Sequence, residues 1–207
     1  MTGLWNVHVV HPYTYKMDFD KKVNVVGPIP KFKERDEKVK GLLERTLKAG
    51  NTLIHHSHKH VHNASSALEV ATVYCDPNLQ ALFDERTIVV TTTQYGVPLP
   101  DEILPNVSQE VWKQLKKIYD TKSSMKAKLP LARKNLFIGG IYENCLCNAV
   151  DYFKRELASP QQEVYVCPKL CVSIDKKEYS RVRDILLSRG IIELTADQAL
   201  EEISIAD

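Results

Sequence analysis

Hydrophobic and polar positions alternate along this chain between two periods, and the alternation repeats from end to end. "LWNVHVV" (4–10) steps by two and is rich in β-formers, which predicts a first strand. "KERDEKVKGLLERTLKAG" places Val39, Leu42, Leu43 and Leu47 on one helical face and stops at Gly50, a residue suited to cap a helix end. "NTLIHHS" predicts a short second strand, and residues 64–83 follow a helical period broken at Pro77. "RTIVVTTT" (86–93) is the clearest strand pattern, followed by a proline-rich connector. Ser108 then suits a cap for the helix "QEVWKQLKKIY", with Glu110 in its first turn. "KNLFIGGI" (134–141) predicts a buried strand, and "ENCLCNAVDYFKREL" aligns Leu146, Val150, Phe153 and Leu157 at steps of three and four. "EVYVCPKLCVSI" reads as a strand leading into a loop, "EYSRVRDILLSRG" as a helix, "IIEL" as a last strand, and "TADQALEEI" as a closing helix capped by Thr195.

Strands alternating with helices at this spacing imply a three-layer α/β/α fold, with a mainly parallel sheet of about six strands. "TIVVTTT" and "LFIGG" are the most continuously apolar or β-branched runs, so both are expected at the centre of the sheet. In such sheets a ligand sits beyond the carboxyl ends of the strands.

Composition narrows the functional classes. At 207 residues, 43% hydrophobic and 26% charged, the chain suits one soluble α/β domain over 1–207. A formal net charge of +2, with both signs interspersed, gives no basic stripe for nucleic acid. The N-terminus lacks the layout of a signal peptide, and no apolar run approaches the roughly 18 residues needed to cross a bilayer. A cytoplasmic protein is expected, without a nucleic-acid or membrane partner. Five cysteines fit a reducing compartment. The pairs Cys145/Cys147 and Cys167/Cys171 lack the spacing of zinc knuckles and read as ordinary thiols.

Two stretches carry candidate chemistry. "LIHHSHKHVHN" (53–63) holds five of the seven histidines. After the second strand they would lie at the functional rim. If the run stays extended, His56, His58, His60 and His62 project to one side as neutral imidazoles able to hold a divalent metal such as zinc. The alternative is a solvated polar rim. In "LFIGGIYENCLCNAVDYF", a buried strand ends in Gly139 and Gly140, turns, and delivers Cys145 at the start of a helix. A helix start lowers a thiol's pKa and can hold an oxyanion, and the glycines permit close backbone approach. Cys147, two residues on, faces elsewhere and reads as packing, while either cysteine could be a small buried residue. His8 and His11 flank the first strand as core or rim groups, and Trp5, Trp112, Tyr142 and Phe153 as core or interface aromatics.

The stretch around Cys145 resembles the isochorismatase-like cysteine hydrolases, which include the nicotinamidases. Gly139 and Cys145 match that family's "G-x5-C-V" pattern, with Leu146 in the valine position. The likeness continues through Ser173, the Arg189-Gly190 helix end and the "T-x-D-x-A/V-L" helix, covering about the last third of the chain. It implies a Rossmann-like sheet and a Cys145 nucleophile acting on an amide, ester or related bond of a small molecule. Gly139, Gly140 and Asn144 would frame the oxyanion and substrate. The family's first strand closes in "D-x-Q-x-D-F"; here Asp18 and Phe19 match its tail and Thr14 stands at the catalytic aspartate. Asp18 is therefore the candidate acid/base, with Asp20 and His11 as alternatives. Lys122 is the nearest candidate for the family's lysine by element order. The family's metal motif "D-x-H-x3-H" finds His58 and His62 at the right spacing, with His56 in place of the aspartate. The alternative is a catalytically inactive member of the same fold that binds a protein partner. A homo-oligomer is compatible with either.

Overall fold

The structure is a computed structural model describing residues 5–12, 15–18, 24–28, 30–58, 77–84, 86–92, 129 and 131–204. Strands β1 (Trp5–Val10), β4 (Thr52–His58), β5 (Ile88–Thr92), β6 (Lys134–Gly139), β7 (Glu163–Val166) and β8 (Ile192–Glu193) form one parallel sheet. Their order is β5-β4-β1-β6-β7-β8. A separate antiparallel ribbon pairs β2 (Tyr15–Asp18) with β3 (Asn24–Pro28). The described helices are α1 (Pro30–Lys48), α2 (Pro77–Gln80), α3 (Cys147–Tyr152), α4 (Lys176–Ser188) and α5 (Ala196–Ser204). Two π-helical turns, Tyr142–Leu146 and Phe153–Leu157, run continuously into and out of α3.

The sequence explains these elements locally. All six residues of β1 are buried, as a central parallel strand requires. Pro30 opens α1, where its missing N–H costs no hydrogen bond. Gly50 closes that helix at φ 72°, and Asn51 N–H returns to the Thr46 carbonyl. Thr195 and Gln198 cap α5 reciprocally: Gln198 N–H donates to Thr195 Oγ1 at 3.2 Å, and Thr195 N–H donates to Gln198 Oε1 at 2.8 Å.

Two cores flank the sheet. Trp5, Val7 and Val9 point into one, against Val39, Leu42 and Leu43 of α1 and Ala199 and Ile203 of α5. Val10 and Phe137 point into the other, against Leu146, Ala149 and Val150 of the helical stretch and Val182 and Leu186 of α4. Truncating a residue such as Leu42, fully buried here, would cost about 2–5 kcal/mol.

The expected centre of the sheet holds for β6 and fails for β5. β6 lies between β1 and β7, whereas β5 ends the sheet, with β4 as its neighbour among the described residues. Ile88 and Val89 are only half-buried. β-Branching reports a preference for extended backbone, not burial on both faces. The ribbon β2–β3 was not anticipated: the first strand was expected over 4–10, and residues 15–18 and 24–28 were assigned no element of their own. The expected helix at 109–119, with its cap Ser108, lies outside the described residues.

Candidate active site

Chain order reverses between β1 and β6, which are neighbours although the chain passes through β4 and β5 between them. The crevice at their carboxyl ends is where an open α/β sheet accepts a ligand. Val10 is in register with Gly139 there. Gly139 and Gly140 have φ of 82° and 57°. A Cβ on Gly139 would meet the Val10 carbonyl oxygen at 2.6 Å. One on Gly140 would meet Cys145 Sγ at 2.9 Å and the Val10 oxygen at 3.2 Å. The glycines thus admit the end of β1 and the sulfur itself, and they set Cys145 Sγ beside that strand end. Ile141 N–H donates to Cys145 Sγ at 3.1 Å, which fixes the sulfur at the opening of the helical stretch. The loop after β7 completes the wall: Tyr142 N–H donates to Val172 O at 2.8 Å, and Val172 N–H to Gly140 O at 3.0 Å.

The thiol is not acidified as its helix position predicts. Cys145 is 4% exposed, and burial pushes its pKa up; the Ile141 N–H and the Arg35 guanidinium pull it down by less. Desolvation outweighs the favourable groups because the sulfur is almost wholly buried. Cys147 is half-buried against the same core, with its thiol also pushed up by burial, as a packing residue would be. Cys171 Sγ donates to Cys167 O at 3.2 Å, and burial drives its pKa well above the ordinary thiol value.

Glu143 organises the rim. Its Oε1 accepts from Ser173 Oγ at 2.5 Å, from Ile174 N–H at 3.0 Å and from Asp175 N–H at 2.9 Å. Asp175 in turn caps α4 by accepting from Lys177 and Glu178 N–H. Sequence reading passed over Glu143, although an acidic residue in a first helical turn is a recognisable signal. It also passed over Arg35, 3% exposed in α1 with its Nη2 2.6 Å from Asp36 Oδ1. Arg35 lies four residues before Val39 and so continues the buried stripe of Val39, Leu42, Leu43 and Thr46, a signal obscured by the charged run around it.

The other expected site residues are only partly gathered here. Asn144 N–H donates to Ile141 O at 3.1 Å, and Leu146 N–H shares that acceptor. His11, buried at φ 42°, follows β1, but its Nε2 lies 2.6 Å from Thr92 Oγ1 of β5, on the side of β1 away from Cys145. Asp18 falls in β2, its side chain outside the described residues, as are His62 and Lys122.

The histidine run does not begin after its strand: His55 and His56 lie within β4, buried on opposite faces. His55 stacks on Phe83 at 4.4 Å, and His56 Nε2 lies 2.9 Å from His8 Nδ1. His56 is therefore a core residue and does not fit the first metal position. The side chain of His58, the last residue of β4, is outside the described residues. Among the described residues, no three His, Cys, Asp or Glu side chains are grouped to hold a metal, and no helix is long and apolar enough to cross a membrane.

No protein-family model matches the chain, and no curated protein matches it by sequence. Solved structures do match it along nearly its whole length. An isochorismatase family protein from Desulfovibrio vulgaris is 14% identical, with a TM-score of 0.61 and 98% of each chain covered. An isochorismatase-like hydrolase from Alkaliphilus metalliredigens is 13% identical, with a TM-score of 0.60, covering 97% of this chain and 98% of that one. A pyrazinamidase from Pyrococcus horikoshii, solved in complex with zinc, is 17% identical, with a TM-score of 0.54, covering 93% of this chain and 99% of that one. Together with the parallel sheet and its strand order, these likenesses give the chain the fold of the isochorismatase-like hydrolases.

Proposed function

We propose that the chain is an isochorismatase-like hydrolase in which Cys145 is the nucleophile toward an amide, ester or related bond of a small molecule. The observation that carries this reading is the position of Cys145 Sγ. It sits at the switch-point crevice, beside the end of β1 and fixed by Ile141 N–H. The sulfur would attack the carbonyl carbon, and the amine or alcohol would leave with a proton. Water would then hydrolyse the thioester and return the free thiol. By resemblance, Asp18 is assigned as the acid/base and Lys122 as the cation, with Gly139, Gly140 and Asn144 framing the substrate.

His58 and His62 are the proposed ligands of a divalent metal, which when bound would polarise a substrate group. Elemental analysis of untagged protein tests them. Stoichiometric zinc lost in a His58→Ala/His62→Ala variant is the expected result. Substoichiometric metal unchanged by the substitutions removes the assignment.

One observation favours a second reading, an inactive member of the fold that serves as a binding module: Cys145 is 4% exposed, and burial pushes its thiol pKa up rather than down. Turnover of a panel of small amides and esters separates the two. The hydrolase reading expects turnover that Cys145→Ser abolishes and Cys147→Ser leaves intact. No turnover of any panel member, or turnover that survives Cys145→Ser, supports the binding module.

A further inference from the structure

The sheet face that α3 and α4 cover is not apolar throughout. Asn6 of β1 and Asn135 of β6 are in register near the amino ends of their strands, 1% and 0% exposed. Asn6 Nδ2 donates to Asn135 Oδ1 at 3.1 Å, and His8 Nε2 reaches the same oxygen at 3.4 Å. Two donors thus share that oxygen, while Asn135 Nδ2 has no hydrogen-bond partner among the described residues. Buried donors are seldom left unmet, because a polar group taken from water needs an acceptor in exchange. A cavity of about 270 Å³ adjoins the pair. Asn6 lines it, together with an apolar wall of Leu129, Phe153 and Leu157. Phe153 ties the cavity to the same network, its ring centroid lying 5.1 Å from that of His8. Leu131 also lines it and is 84% exposed, apolar surface that an occupant would take out of water.

We propose that this cavity is a second ligand site, which takes a small uncharged molecule with one acceptor oxygen on an aromatic or branched apolar body. Asn135 Nδ2 donates to that oxygen, and the leucines and Phe153 hold the body. The cavity is large enough: about 150 Å³ of apolar space already holds benzene in another protein. Its chemistry selects against charge, because none of its described lining residues is ionisable and a charged group would lose its water without an ion partner. On the far side the polar lining is already engaged, since Gln162 donates to the Ala132 carbonyl at 2.8 Å and accepts from Ser159 N–H at 2.9 Å. Asn135 therefore supplies the recognition. It precedes Gly139 by four residues, about 13 Å of strand, so the site lies at the other end of the sheet from Cys145 and does not depend on that thiol being reactive.

The test is a leucine-methyl NMR titration of the full chain with acetophenone, and with ethylbenzene and benzoate for comparison. Acetophenone offers an acceptor oxygen and no bond that the proposed hydrolase could cleave. Saturable shifts at the Leu129, Leu131 and Leu157 methyls are expected. Ethylbenzene, which lacks the oxygen, should bind about tenfold more weakly, the upper value of one neutral hydrogen bond, and benzoate should not bind there. Ala158→Trp, at a lining position, should fill the cavity and remove the acetophenone shifts. The absence of saturable shifts at these methyls, or shifts that survive Ala158→Trp, overturns the site. If that variant does not fold, the comparison in the parent protein decides. Ethylbenzene or benzoate binding as tightly as acetophenone overturns the assignment to an uncharged acceptor.

Discussion

Lowering the pH from 7 to 5 should destabilise this fold through three imidazoles sealed in its sheet. His8, His55 and His56 are 0%, 0% and 2% exposed. Burial pushes His55 and His56 down to about 3 and His8 well below its ordinary value. The network fixes the neutral forms. Asn135 Oδ1 faces His8 Nε2 at 3.4 Å, so that nitrogen carries the hydrogen, and His8 Nδ1 accepts from His56 Nε2 at 2.9 Å. A proton on His8 Nδ1 would remove that acceptor and set two donors face to face. The folded pKa values lie below the unfolded 6.5, so the stabilisation is complete above pH 6.5 and declines as pH falls toward the folded values. Each histidine then loses about 1.4 kcal/mol per pH unit, so His55 and His56 together forfeit about 4 kcal/mol at pH 5. That is a large share of the roughly 5–15 kcal/mol holding a typical domain folded. Urea unfolding at pH 7, 6 and 5, followed by tryptophan fluorescence, reads the loss in a window where ordinary carboxylates stay ionised. His55→Phe should flatten the pH slope by about one proton, since neither His55 ring nitrogen has a hydrogen-bond partner among the described residues and Phe keeps the stack on Phe83. Equal unfolding midpoints at pH 7 and 5, or a His55→Phe slope equal to the parent's, would refute the reasoning.

Alanine substitutions at three positive-φ glycines should rank by what the new methyl meets. Gly139→Ala, 2.6 Å from the Val10 carbonyl, should cost most; Gly140→Ala, 2.9 Å from Cys145 Sγ, should follow; and Gly50→Ala, with nothing within 4 Å, should cost only the backbone strain of about 1–2 kcal/mol. Thermal melts of the three variants check the order. Glu143→Gln should weaken the anchoring of residues 173–175 by about 1–2 kcal/mol, because a carboxylate accepts more strongly than an amide. Faster amide exchange confined to that loop is the expected sign; exchange unchanged there would dismiss the anchor.

The architecture was legible because it is written in local periods. The stripe of Val39, Leu42 and Leu43, the stop at Gly50, the Thr195 cap and the Gly139–Cys145 turn all depend on residues near one another in the chain. What stayed hidden depends on distant partners. His56 is a core residue because His8 lies across a strand pair, 48 positions away, and His8 is satisfied by Asn135, 127 positions on. No histidine spacing reports such pairing, so the run looked like a rim. Arg35 was concealed by exposed neighbours such as Glu34, Glu37 and Lys38, which make a buried stripe look solvated. The lowered thiol pKa expected at a helix start failed for the same reason, since burial comes from packing across the crevice.

Acyl transfer to Cys145 tests the central claim most directly. The full chain would be mixed with a small activated ester, quenched in acid within the first turnover, and examined by intact mass and peptide mapping. The account predicts a thioester adduct on Cys145 that is absent in Cys145→Ala and unaffected by Cys147→Ser. An adduct on Cys147 instead, or no adduct on either residue across a range of esters, would contradict it.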